Sequence, residues 1–158
     1  MSKLAELYEQ DYTAWAHAQA NLLRAGRFDA LDVEHLLAEL EDMGKSEQRS
    51  LESHLRVLLA HLLKWQYQYP QLAERWKEFK GDSWHNTIVQ QRNETLFLLE
   101  ENPGIKRFWP EVVKKAYAKA RKLAADESGL PIETFPRECP YSDEQILDKA
   151  FYPQTPQR

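Results

Sequence analysis

The run from Lys45 to Trp65, KSEQRSLESHLRVLLAHLLKW, constrains the fold more than any other stretch of this chain. Leu51, Leu55, Leu58, Leu62 and Trp65 recur at three- and four-residue steps, the period of an α-helix that buries one face. Glu47, His54 and His61 interrupt that stripe at seven-residue steps. A polar group in a buried stripe costs stability unless it is hydrogen-bonded. The line therefore reads either as an internal polar network or as a site.

The same period extends upstream through Val33, Leu36, Leu37, Leu40 and Met43. A straight helix from Asp32 to Gln68 would be roughly 55 Å long at 1.5 Å per residue. The other helices read at about 30 Å, and a bundle cannot bury such an overhang. A kink is expected near Gly44, where an interior glycine costs about 1 kcal/mol relative to Ala. Before this element, Tyr8, Tyr12, Trp15, Gln19, Leu22 and Leu23 mark a first helix from Leu4 to Arg24, with Gly26 near its end.

Pro70 ends the long element, and Gln71 to Lys80 reads as a short surface helix. Gly81-Asp82-Ser83 opens a third main helix to Glu101, with Trp84, Ile88, Gln91, Thr95 and Leu98 on one face. Asn102-Pro103-Gly104 breaks it. A fourth helix covers Ile105 to Glu127, with Phe108, Val112, Ala116, Ala120 and Leu123 inward. Pro110 is tolerated in its first turns. After Gly129 the chain turns Pro-rich yet keeps Ile132, Phe135, Tyr141, Ile146, Leu147, Phe151 and Tyr152. Ser142 and Gln145 form a capping-box pattern there. The expected fold is all-α: a four-helix core with a long kinked second helix and a Pro-rich C-terminal strap. The expected organisation is one domain, 1–158, with the bundle over 4–128, the strap over 129–153 and a loose end from Gln154.

The 158 residues suffice for one sizeable core. A formal net charge of −4 gives no overall electrostatic case for nucleic acid or an anionic membrane. The single Cys139 cannot form an internal disulfide, which points to a reducing compartment. Val57 to Leu63, the longest apolar run, falls far short of the roughly 20 residues that span a bilayer, and the first residues lack the apolar core of a signal peptide. A cytoplasmic location is expected.

Several runs, in order, resemble the bacterial domain of unknown function 29 family across nearly the whole chain. They are YEQDYTAWAHAQANLLR, LDVEHLLAELEDMGKSEQRSL, HLLKW, SWHNTIVQQR, the Tyr117–Leu130 region ending DESGL, and FPRECPYSDEQIL. The resemblance implies a helical fold and supplies no activity.

Candidate chemistry is sparse. Arg92 is the natural partner for Glu47, because a guanidinium matches a carboxylate and either would be costly if buried alone. Glu47, His61 and Arg92 are the candidate catalytic set; Glu39, Gln91 and Arg92 are the candidate binding set. His54 and His61 stand about 10.5 Å apart along a helix, too far for easy chelation, so with His85 they are only weak metal candidates. No metal or cofactor is expected. Asp32-x-x-His35, with Glu39 one turn on, looks exposed at a helix start. Lys115, Lys119 and Lys122 read as a solvated face, and Cys139 as a packing residue. No Ser-His-Asp arrangement, phosphate loop or dinucleotide fingerprint is present.

These features favour a non-catalytic interaction or regulatory protein that binds a protein partner or itself. Trp76 and Phe79, outside the main helices, are candidate contact residues. The alternative is a hydrolase-like enzyme built on the Glu47, His61 and Arg92 seam, with or without a metal. A nucleic-acid partner is disfavoured.

Overall fold

A computed structural model describes residues 3–70, 72 and 81–154. The fold is all-α: among the described residues there is no strand. The expected surface helix from Gln71 to Lys80, with Trp76 and Phe79, lies outside the described residues apart from Leu72. Residues 155–158 of the expected loose end lie outside them too. Internal packing divides the chain into two compact units, Met1–Ser46 and Glu47–Arg158.

The first unit begins with α1 (Lys3–Gln10) and α2 (Tyr12–Arg24). The sequence suggested one helix here. The break falls at Asp11, whose backbone leaves helical geometry (φ −151°, ψ 84°) while its side chain accepts from the Ala14 N–H at 3.0 Å. A carboxylate at this position caps a new helix start, so the chain restarts rather than continues. α2 closes in a Schellman turn: the Arg27 N–H donates to Leu22 O and the Gly26 N–H to Leu23 O, with Gly26 at φ +70°. A short 3-10 turn at Phe28–Ala30 leads to Asp32 and the long helix α3 (Val33–Tyr67).

α3 is helical without interruption through Gly44, where the sequence suggested a kink. The overhang is left unburied, in keeping with the length argument. Val33, Leu37, Leu40 and Met43 are all more than half exposed, so the apolar stripe enters the core only from Leu51 onward.

The second unit holds the main core. Leu51, Leu55, Leu58, Leu59, Leu62 and Leu63 of α3 are fully buried there. They pack with Ile88 and Leu99 of α4 (Asp82–Glu101) and with Val112, Ala116, Ala120 and Ala124 of α5 (Trp109–Ser128). Ala116, Ala120 and Ala124, four residues apart, form one fully buried small-residue line on α5. α4 starts at Gly81, which has φ +70°; a Cβ there would sit 2.5 Å from the Tyr69 ring. Both conditions require glycine.

A 3-10 turn at Pro103–Phe108 replaces the first turn expected of the fourth helix. Beyond Gly129, Phe135, Tyr141 and Ile146 are buried in the same core. Each contributes about 1.5–3 kcal/mol of apolar burial. Ile146 lies on the short helix α6 (Asp143–Leu147), which opens with the reciprocal Ser142–Gln145 capping box that its sequence indicated.

Candidate functional site

In the first unit, α3 packs against α1 and α2 through its polar residues. Asp32, His35 and Glu39 fall on one face of α3, and each finds a partner there. The Trp15 indole N–H donates to Asp32 Oδ2 at 2.9 Å, and His35 Nδ1 lies 2.7 Å from the same oxygen. The Asp32 N–H donates to the Gln19 carboxamide oxygen at 2.9 Å, which orients that buried side chain. Tyr8 and Tyr12 donate their hydroxyls to the two oxygens of Glu39. The rings close over this network: Tyr8 stacks on His35 at 4.0 Å and meets Trp15 edge-on at 4.8 Å.

The electrostatics follow from these contacts. Burial alone would raise the Asp32 carboxyl, but hydrogen bonds from His35 and Trp15 outweigh it and hold the group below its ordinary value. The bond to Glu39, aided by burial, pushes the Tyr8 phenol up to about 12, and the same bond raises Tyr12. Asp32 and His35 were expected to be exposed. Instead the Asp32 side chain is only 8% exposed, because it serves at once as helix cap and as acceptor for Trp15.

With its polar side turned inward, this stretch of α3 carries four of its apolar residues outward, while Leu36 is half-buried. Val33, Leu37, Leu40 and Met43 are 63, 55, 63 and 65% exposed. At 3.6 residues per turn Val33, Leu37 and Leu40 share an arc of roughly 60° set apart from the Asp32–His35–Glu39 face, and Met43, one turn beyond Glu39, lies at the margin between the two. The arrangement inverts the usual one, in which a helix buries its leucines and solvates its acids. The sequence periodicity found the stripe and misread its direction.

The seam expected in the second unit is dispersed. Glu47 is half-buried and accepts from Asn102 Nδ2 at 3.4 Å. It does not pair with Arg92. Arg92 is fully buried and points its guanidinium at main-chain oxygens: Nε to Ile146 O at 2.8 Å, Nη1 to Phe151 O at 3.1 Å and Nη2 to Gln145 O at 3.3 Å. The buried line of α4 therefore runs Ile88, Arg92, Thr95, Leu99, one position beyond the expected Gln91. His54 Nδ1 lies 2.7 Å from Gln91 Oε1, and His61 Nδ1 lies 2.8 Å from Val57 O. Burial lowers the pKa of His61, against the opposing pull of that carbonyl. His85 is exposed and stacks on Tyr152 at 5.2 Å. Among the described residues no group of three or more His, Cys, Asp or Glu side chains could hold a metal ion.

Sequence reasoning missed Lys64. It lies within the leucine run and is 6% exposed, with its ammonium paired to Glu127 and 5.0 Å from the centre of the Trp84 ring. Lys119 pairs with Glu52 at 2.5 Å and is otherwise exposed, as are Lys115 and Lys122. Cys139 is half-buried, and burial raises its thiol.

An all-α protein with an inward polar cluster and an outward apolar stripe is the class that the geometry defines. The family model described as domain of unknown function DUF29 matches residues 7–152, and the chain belongs to that family. No curated protein and no solved structure matches it. No helix among the described residues is long and apolar enough to cross a membrane.

Proposed function

We propose that this protein is a non-catalytic interaction module that docks a partner on the outward stripe of α3. The observation that carries the reading is the inversion itself. Asp32 and Glu39 occupy the packed side of the helix while Leu37 and Leu40 occupy the open side. Contiguous exposed apolar surface of this kind marks an interaction site. The tyrosine, tryptophan and carboxylate network contributes by fixing α1 and α2 on one side of α3, so the stripe is presented on a preorganised support. The dispersal of Glu47, His61 and Arg92 onto separate partners weakens the hydrolase reading.

The test is site-specific photocrosslinking in cells that make the protein. A photoreactive residue at Leu40 should yield discrete higher-mass adducts. The same residue at Gln90, exposed on α4, should yield none. Equal labelling at both positions, or none at Leu40, overturns the reading.

A further inference from the structure

We infer that the occupant of the α3 stripe is a basic amphipathic helix; the inference rests on the docking role proposed for that stripe. Val33, Leu37, Leu40 and Met43 advance by four, three and three residues, covering about 15 Å of helix axis. A ridge of this length, slanting across the helix surface, fits about three turns of a partner helix read through its own i, i+3 and i+4 anchors. Met43 adds an adaptable contact at one end.

Charge selects among such helices. Glu34 and Glu41, seven residues apart and both exposed, border the stripe on the side facing away from the polar cluster. Lys45, at the far end, is the one base on that flank. Residues 1–46 hold nine of the 25 acidic side chains but only four of the 21 basic ones. The rest of the chain is close to balanced, so the net negative charge of the protein resides in this unit. An apolar ridge with an acidic border calls for apolar anchors flanked by Lys or Arg. A second copy of the chain fits less well, because a two-fold interface sets the same acidic flank against itself.

The test uses the full chain and two fluorescent peptides of identical leucine pattern, one flanked by Lys and the other by Glu, followed by anisotropy. The Lys peptide should bind about tenfold tighter or better, and added salt should weaken it. The neutral double variant Leu37→Ser/Leu40→Ser, checked for unchanged circular dichroism, should abolish binding. Glu34→Lys with Glu41→Lys should reverse the preference. Equal binding of both peptides, still lost in the serine variant, overturns the charge assignment and leaves the docking role standing. Lys-peptide binding that survives the serine variant is diffuse attraction and overturns the inference. If neither peptide binds and the native chain sediments as a dimer that the serine variant splits, the occupant is a second copy and the inference falls. If neither binds and the chain stays monomeric, the inference falls, and crosslinking at Leu40 decides the docking role separately.

Discussion

Arg92 donates from Nε to the carbonyl of Ile146, fifty-four residues away in the chain, at 2.8 Å inside the core. With Gln145 O and Phe151 O the guanidinium meets three main-chain acceptors and, among the described residues, no carboxylate. Burial lowers its pKa, but a guanidinium is basic enough to keep its charge at neutral pH.

Arg92→Met should therefore strand three carbonyls. Loss of charge-assisted bonds of this kind costs about 2–4 kcal/mol, since each is worth about 1.5–3 kcal/mol and the freed acceptors recover part from water. Arg92→Lys should rescue little, because an ammonium lacks the planar fork. Urea unfolding measures both. A loss of under about 1 kcal/mol in the Met variant would show that the clasp is incidental.

Glu47 and Arg92 should be energetically independent. Their separate partners, Asn102 on one side and main-chain oxygens on the other, predict a double-mutant cycle of Glu47→Gln and Arg92→Met that adds to within about 0.5 kcal/mol. Coupling well above that value would restore the ion pair that the sequence suggested.

Tyr8 should mark the first unit in alkali. Its phenol ionises near 10.0 when free and about 12 when bound to Glu39. A raised folded pKa means that its stabilising contribution is complete below pH 10 and is lost as pH climbs through the folded value. Tyrosinate absorbance should contain a component near pH 12 that Tyr8→Phe removes, and thermal melts of the two proteins should converge above it. A Tyr8 transition near 10 would mean that the Glu39 contact does not persist in solution.

Asp32 should give the complementary acid response. Its folded pKa lies below the ordinary carboxylate value, so its contribution is present above about pH 4 and disappears as pH falls through the lower folded value. Trp15 emission should report the loss of the indole bond. Asp32→Ala should shift emission already at pH 7 and cost about 1–2 kcal/mol through loss of the helix cap. Unchanged emission across both experiments would contradict the contact.

The helices were legible because their signals are local. The Leu51, Leu55, Leu58, Leu62 period and the Ser142–Gln145 box each speak within a few residues. Other features depended on choices that periodicity does not encode. Val33, Leu37 and Leu40 have the spacing of a core face, and only the competing bonds of Asp32, His35 and Glu39 decide which side turns inward. Gln91 and Arg92 differ by a single step of about 100° on α4, within the tolerance of any pattern reading. The partners of Arg92 are carbonyls, which every residue possesses and no sequence motif announces.

That last point reaches beyond Arg92. Tyr117 donates its hydroxyl to Pro136 O, and Arg121 Nε reaches Phe135 O at 3.0 Å. The helices thus hold the C-terminal segment by its main chain as well as by the buried Phe135, Tyr141 and Ile146 side chains, and a main-chain carbonyl is the same whatever side chain is attached. A residue such as Gln145 can be exchanged in the course of descent without releasing its carbonyl from the guanidinium, whereas Arg92 has no such latitude. Mutational tolerance should accordingly be lopsided across this contact, strict at Arg92 and more permissive at a grasped position such as Gln145, whose side chain lies outside the core.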